Sequence, residues 1–490
     1  MADINNIVTG GAKNKISDKQ FLEKEIREFL TSPKRKAMID GERYYSGEHD
    51  ILKRKRTIIG EDGQLKEVEN LPNNRIVDNQ YGKMVDQKAN YLLSKPPTFE
   101  CENKTYEEIL KKIFNNKFLR LLKNIGEDSL NDGIGWLYPY YNDRGELYFK
   151  RFKPYEILPF WNDEDHTILD YIARIYEVLV YEGDTEKLVQ KVEVYDVNGI
   201  HRFVLNGGSL IDDIELEQTC DYIKTTDNLG NEVGLNWTKV PLIPFKFNSK
   251  EIPLIKRVRS LQDGINTILS DFENNMQEDA RNTILVLKNY DGANLGEFRK
   301  NLSQYGAVKV RTVDGSDGGV ETLTVEVNAE NYKAIYDIFK KALIENARGF
   351  DAKDDRMSNN PNQMNIQSMY SDIDLDANGM ETEYQASFED LLWFITQHLA
   401  NTGQGDFENE VVTITFNRDI LINETESISN CQNSVGILSD ETIVGQHPWV
   451  KDVNKELERK KKEQETDPYE ETFNKSSDQN KDGAIDVKEE

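Results

Sequence analysis

At 490 residues the chain exceeds what one ordinary hydrophobic core serves, so two to four packed units are expected, discontinuous ones included. Its formal charge of −27, from 61 Lys and Arg against 88 Asp and Glu, excludes a protein that grips nucleic acid over its whole surface, since neutralising phosphate takes clustered cations; an acidic wall past which DNA slides is compatible with it. No apolar run reaches the roughly 18 to 20 residues that span a bilayer and no signal-peptide stretch opens the chain, so a cytosolic protein without a membrane role is expected.

Phe21, Ile26, Phe29 and Leu30 share one face of a helix in the first forty or so residues, ended by Ser32 and Pro33. The basic cluster Lys53, Arg54, Lys55, Arg56 reads as a solvated loop rather than a DNA contact. Tyr81, Met84, Val85, Lys88 and Leu92 recur at steps of three and four, which predicts a helix stopped by Pro96 and Pro97, and a second amphipathic helix follows from Tyr106 to Asn131. From Gly133 to Phe247 the period falls to two. Trp136, Tyr138 and Tyr140 face Leu147 and Phe149 across a turn at Asn142 to Gly145, and further strands are expected at 171–180, 188–196 and 201–205. The region is α+β with a mostly antiparallel sheet, closing at Pro241 to Phe245.

Val258, Leu261, Ile265, Ile268, Phe272 and Met276 then predict a helix of about 25 to 30 residues, roughly 40 Å long. Its opposite face carries Arg257, Asp263, Asp271, Glu273 and Glu278 and is wet or meets a charged partner; Glu278, Asp279 and Arg281 at its end face either a channel or a neighbouring subunit. A small insert follows: a strand at 283–287, a helix near 295–305, and strands at 307–313 and 321–327. A second long helix, capped by Asn328, shows Tyr332, Ile335, Tyr336, Phe339, Ala342 and Leu343 on one face. After Arg348 comes a polar loop that cannot build a core. A helix broken or kinked near Gly379 then carries Tyr384, Phe388, Leu391, Leu392, Ile395 and Leu399, and a strand at 411–416 is placed to complete the earlier sheet. From Glu424 the pattern is helical, with Ser439 to Thr442 as a cap and His447 to Val450 as a break.

Several local motifs occur in the order found in a known family. They are Tyr44, Tyr45, Ser46, Gly47; the segment from Asn74 to Pro97; Gly133, Gly135, Trp136; Pro241 to Phe245; and Ser439 to Thr442 with His447 and Pro448. In these the chain resembles the portal, or head-to-tail connector, proteins of long-tailed bacteriophages. The resemblance implies a wing from residues 1–248 and 364–425, stem helices at 249–281 and 327–347, a small α/β clip at 282–326, a tunnel loop at 348–363 and a helical crown at 426–467; the tail at 468–490 is expected from its composition to be acidic and unstructured. It also implies a homo-oligomeric ring of about twelve subunits at one capsid vertex of the virion, assembled in the host cytoplasm. Double-stranded DNA passes through that ring in packaging and ejection. The partners so implied are the terminase large subunit, a head-completion adaptor, and scaffold and major capsid proteins.

Within the polar loop, Arg348, Lys353 and Arg356 are candidates for DNA phosphate; the other reading pairs them with Asp351, Asp354 and Asp355. In the tail, Asp478, Asn480, Asp482, Gly483, Asp486 and Glu489 stand at positions 1, 3, 5, 6, 9 and 12 of a calcium loop, although no apolar helix flanks it. No phosphate-binding loop, nucleophile elbow or zinc helix is present, the five histidines are scattered, and Cys101, Cys220 and Cys431 form no metal pattern, so neither an enzyme nor a required cofactor is expected. The alternative function is a cytosolic calcium-responsive scaffold regulated by its tail.

Overall fold

The computed structural model describes residues 19–465 except 60–62, 69–70, 143, 183–184, 227–228, 280–283, 352–362, 419–423, 451–452 and much of 290–327. The helix expected at the start is two helices. α1 (Lys19–Thr31) stops at Ser32, whose hydroxyl accepts from the Arg35 amide at 3.1 Å and caps α2 (Pro33–Tyr45), with Pro33 where a missing N–H costs nothing. After the hairpin of β1 (Thr57–Ile59) and β2 (Leu65–Glu67) comes α3 (Gln80–Leu93), which buries Tyr81, Met84, Val85, Lys88 and Leu92 as their spacing predicts. Lys53 and Lys55 of the basic cluster are exposed, as expected of a solvated loop, and two of its members also find acidic partners: Arg54 meets Asp271 at 2.7 Å and Lys55 meets Glu67 at 2.8 Å.

Beyond β3 (Thr98–Cys101), the second amphipathic helix also divides, into α4 (Lys104–Ile113) and α5 (Asn116–Asp132). Asn115 separates them, its side chain accepting from Lys117 N at 2.9 Å, because a short amide competes better as a cap than as a helix interior. Gly133 ends α5 at φ 88°, and a Cβ there would fall 2.2 Å from the Glu251 carbonyl oxygen.

β4 (Ile134–Tyr141) and β5 (Leu147–Phe152) make the expected hairpin, Trp136 opposite Phe152. β6 (Ile157–Trp161), β7 (Leu169–Glu182), β8 (Thr185–Asp196), β9 (Gly199–Asn206) and β10 (Ser209–Asp212) form an antiparallel sheet in the order β10-β9-β8-β7-β6, with β11 (Thr219–Cys220) on β9. Leu22, Ile26 and Phe29 of α1 cover it, against Phe160, Tyr171, Val192 and Val194. β12 (Ile223–Thr226) pairs with β13 (Glu232–Leu235), and β14 (Ile243–Lys246) adds to β4.

The long helix is α6 (Ile255–Asp279). β15 (Ile284–Lys288) and β16 (Gly319–Leu323) pair antiparallel between it and α7 (Ala329–Asn346), which Asn328 caps; the insert's expected helix and middle strand lie largely outside the described residues. α8 (Gln363–Asn401) is continuous through Gly379, so of the break or kink expected there the break does not occur. A helical glycine costs only about 1 kcal/mol, and the buried Met380, Tyr384, Phe388 and Leu391 beyond it hold the helix. Phe388 is ringed by Phe99, Phe114, Phe118, Phe245 and Phe416 at centroid distances of 5.6, 5.8, 6.2, 5.7 and 6.1 Å. β17 (Val412–Thr415) pairs with β3 rather than completing the earlier sheet, since that register sets Ile414 opposite Phe99 and brings Phe416 to Phe388.

The chain divides into two units, residues Met1–Phe350 with Asp372–Asp419 and residues Asp351–Ser371 with Ile420–Glu490. The second holds α9 (Glu424–Asn433), α10 (Asp440–Gln446), capped by Ser439 as expected, and α11 (Val453–Glu465), the last two tied by Lys460 on Asp440 at 2.8 Å. All three cysteines are free.

One fully buried stripe of α6 is polar. Gln262, Asn266, Ser270 and Asn274, four residues apart and fully buried, accept from the amides of Tyr81, Asp78, Ile76 and Asn74 at 2.8, 3.0, 2.9 and 2.7 Å. Four helical residues advance about 6 Å and two extended residues about 6.5 Å, so the amides of Asn74, Ile76 and Asp78 keep step with a period-four stripe, and the last rung falls three residues on, at Tyr81 in the first turn of α3. Asn266 also donates to Nδ1 of buried His49 at 2.7 Å, and His49 Nε2 donates to the Tyr44 carbonyl at 2.9 Å. The imidazole is therefore neutral, and burial holds its pKa below the ordinary value.

Of the apolar positions expected to form the buried stripe, Val258 and Ile265 are buried, whereas Met276 is 53% exposed. On the charged face, Arg257 meets Asp376 at 2.7 Å and Asp263 accepts from the Tyr44 hydroxyl at 2.6 Å. Replacing Asn266 by Ala strands the Asp78 amide and His49 Nδ1, and is expected to cost about 2 to 4 kcal/mol, read as a lowered urea midpoint. Met276→Ala should change the unassembled chain by about 0.5 kcal/mol or less.

Candidate functional site

Of the three expected DNA contacts, Arg348 is described, while Lys353 and Arg356 lie outside the described residues, as do the six calcium-loop positions of the tail. Glu278 and Asp279 end α6, but their side chains and Arg281 are likewise outside. The site that can be built is thus the root of the polar loop, at Arg348, Gly349 and Phe350.

α7 ends when Arg348 turns left-handed, φ 51°, a conformation that usually selects glycine or asparagine. The turn closes the helix through Arg348 N to Glu345 O at 3.0 Å and Gly349 N to Ile344 O at 2.9 Å. For arginine it costs on the order of 1 to 2 kcal/mol, and such strain persists only where the surroundings hold it. They do so from two sides. The Arg348 carbonyl accepts from Lys88 Nζ at 2.9 Å while its guanidinium meets Asp376 at 2.9 Å. Next door, Gln87 grips Phe350 with both ends of its amide, donating to the carbonyl at 2.9 Å and accepting from the N–H at 3.0 Å.

Asp376 on α8 is the centre of this arrangement. One buried carboxylate takes Lys88 from α3 at 2.9 Å, Arg257 from α6 at 2.7 Å and Arg348 from the end of α7 at 2.9 Å. Burial raises the Asp376 carboxyl, but Lys88 first and Arg257 after it hold its pKa below the ordinary value. Lys88, 3% exposed at its side chain, is pushed down to about 8, because burial outweighs its share of a carboxylate that two guanidiniums also claim. Both shifts point to one anion divided among three cations. Sequence reasoning placed Lys88 on an apolar stripe and missed Asp376 and Gln87; the available signal was the lysine itself, since a charge at a core position needs a buried partner.

Among the described residues, the acidic groups that converge closely enough for a cation are Glu42, Asp128 and Asp132, between α2 and α5. No helix among them is long and apolar enough to cross a membrane.

A family model described as phage portal protein, SPP1 Gp6-like, matches residues 33–468. The chain belongs to that family. The portal protein of Bacillus phage SPP1 is 29% identical to it over 461 residues, spanning 93% of this chain and 89% of the relative. That of Clostridium phage phiCD119 is 26% identical over 440 residues, spanning 86% and 91%. Among solved structures, the neck of an empty GTA particle computed with C6 symmetry is similar at 11% identity and a TM-score of 0.39, covering 74% of this chain and 88% of that one. Portal proteins of this family are structural, non-enzymatic components of the virion that form homo-oligomeric rings and the channel for DNA packaging. The calcium-responsive scaffold reading is set aside by this membership.

Removing the central anion while keeping its shape tests the site. Asp376→Asn leaves Lys88 buried without its counter-ion and is expected to cost about 3 to 5 kcal/mol. Arg348→Gln, at a side chain 47% exposed, should cost about 1 kcal/mol or less by the same denaturant titration. In Asp376→Asn the Lys88 pKa falls further. The parent's own slope has a definite sign: the folded chain binds fewer protons than the unfolded one between pH 8 and the ordinary lysine range, so the stability penalty of Lys88 shrinks as pH rises through that window.

Proposed function

We propose that residues 348–363 form the part of the portal channel that meets DNA, with Arg348, Lys353 and Arg356 supplying phosphate contacts. What supports this is the clamp at Asp376. A loop that tracks a moving duplex needs a root that does not move with it, and Arg348, Gly349 and Phe350 are held by three helices through buried charges and a two-way amide contact. The exposed half of the Arg348 side chain leaves its guanidinium access to a second anion. An overall charge of −27 keeps the rest of the wall repulsive to phosphate, so a few loop cations contact DNA without immobilising it.

In this reading residues 1–248 and 364–425 are the wing, α6 and α7 the stem, 282–326 the clip and 426–467 the crown, in a ring of about twelve copies. The clip and neighbouring surfaces dock the terminase large subunit during packaging and the head-completion adaptor afterwards, and the wing meets scaffold and major capsid proteins. The tail positions Asp478, Asn480, Asp482, Asp486 and Glu489 form a weak calcium loop; a peptide spanning 476–490 that gives no heat with millimolar Ca²⁺ in calorimetry removes that part.

The channel reading is tested by Lys353→Gln and Arg356→Gln together. Rings should assemble as in the parent, while packaged DNA per particle or its retention falls by severalfold. Unchanged packaging with normal rings would refute the role of these cations.

A further inference from the structure

The crossing of α2 and α5 buries acid against acid. At Gly41 the helices approach so closely that a Cβ would lie 2.0 Å from the Asn131 carbonyl oxygen. That contact brings Glu42 over the turn of α5 that carries Asp128 and Asp132, four residues apart on one face. One oxygen from each carboxylate lies within 4.8 Å of the others. Asp132 is fully buried, and neither of its oxygens has a hydrogen-bond partner. A carboxylate taken out of water with no donor is among the costliest arrangements a protein interior can hold, so something must answer it.

The neighbouring cations answer other members of the group. Arg151 Nη1 takes both oxygens of Asp128, at 3.1 and 3.2 Å, and Lys153 sits on Glu42 at 2.5 Å. Burial pushes the Asp128 carboxyl up to about 7 and that of Asp132 well above its ordinary range.

We propose that Glu42, Asp128 and Asp132 bind one Ca²⁺ that fastens α2 to α5. All donors are carboxylate oxygens, which suit a hard divalent cation, and a spread of up to 4.8 Å matches the span across an ion with oxygen bonds of about 2.3 to 2.6 Å. The charge count also fits. Three carboxylates against Arg151 and Lys153 leave one uncompensated negative charge. The Lys153 side chain, 37% exposed, can swing to solvent, after which Ca²⁺ and Arg151 together balance the three carboxylates. Binding displaces whatever protons the acids hold, so affinity rises with pH. The site is independent of the channel reading and of the tail's calcium loop.

The test uses the full-length protein with Asp478→Ala and Asp482→Ala, which disables the tail loop, stripped with a chelator and titrated with Ca²⁺ by calorimetry in two buffers of different ionisation enthalpy. The expected result is one Ca²⁺ per chain, proton release on binding, and a Tm raised by calcium. Adding Asp132→Asn or, separately, Glu42→Gln should weaken binding at least tenfold; should Asp132→Asn fail to fold, Glu42→Gln carries the comparison. No calcium heat from the stripped parent, the acids being answered by shared protons only, overturns the proposal. Binding unchanged by either added substitution does the same.

Discussion

A row of four side chains on α6 gives residues 74–81 the hydrogen bonds that a neighbouring strand would otherwise supply. Buried amides must be paired, and this segment has no strand beside it; Asn274, Ser270, Asn266 and Gln262 accept from it instead. The match between a helix's four-residue rise and an extended chain's two-residue rise lets the pairing continue for several steps. Its consequence is positional. The last rung, Gln262 on Tyr81, fixes the first turn of α3 against α6, and α3 in turn carries Gln87 and Lys88 to the root of the polar loop.

The Asp376 cluster continues that logic with charges. An anion shared by three cations from different helices is a poor source of net stability compared with apolar packing. It is a good source of geometry, since each partner must stay in place for the others to be tolerated. The strained Arg348 is held by this cluster, and Gln87 holds Phe350 two residues on. A rigid frame and a polar segment without core-forming residues therefore meet within three residues, as a ring that positions loops around a channel requires.

Much of the architecture was legible in the sequence because period and caps announce it. The stripe of α3, the Trp136 hairpin, α6, the Asn328 cap and the apolar face of α8 were all read correctly, and family motifs spread along the chain pointed to portal proteins. The errors share one cause, the reading of polarity without its partner. Ser32 ends α1 as expected but also caps a new helix, and Asn115 is a polar interruption that caps a new helix rather than continuing one. On α6 the apolar positions drew attention while the fully buried stripe was Gln, Asn, Ser and Asn, whose acceptor role depends on a segment about 190 residues away. Asp376 was invisible for the same reason: in a chain with 88 acidic residues, one carboxylate carries no signal until Lys88, Arg257 and Arg348 are seen around it.

The central claim is that this clamp presents the polar segment to a DNA channel at the middle of a ring. Electron cryomicroscopy of the purified, assembled protein tests it most directly. The account predicts rings of about a dozen copies in which Arg348 and the segment 351–362 of every copy converge on the central opening, with Asp376 still holding its three cations. A ring whose Arg348 faces the outer rim, or a chain that stays a compact monomer at every salt concentration, would contradict it.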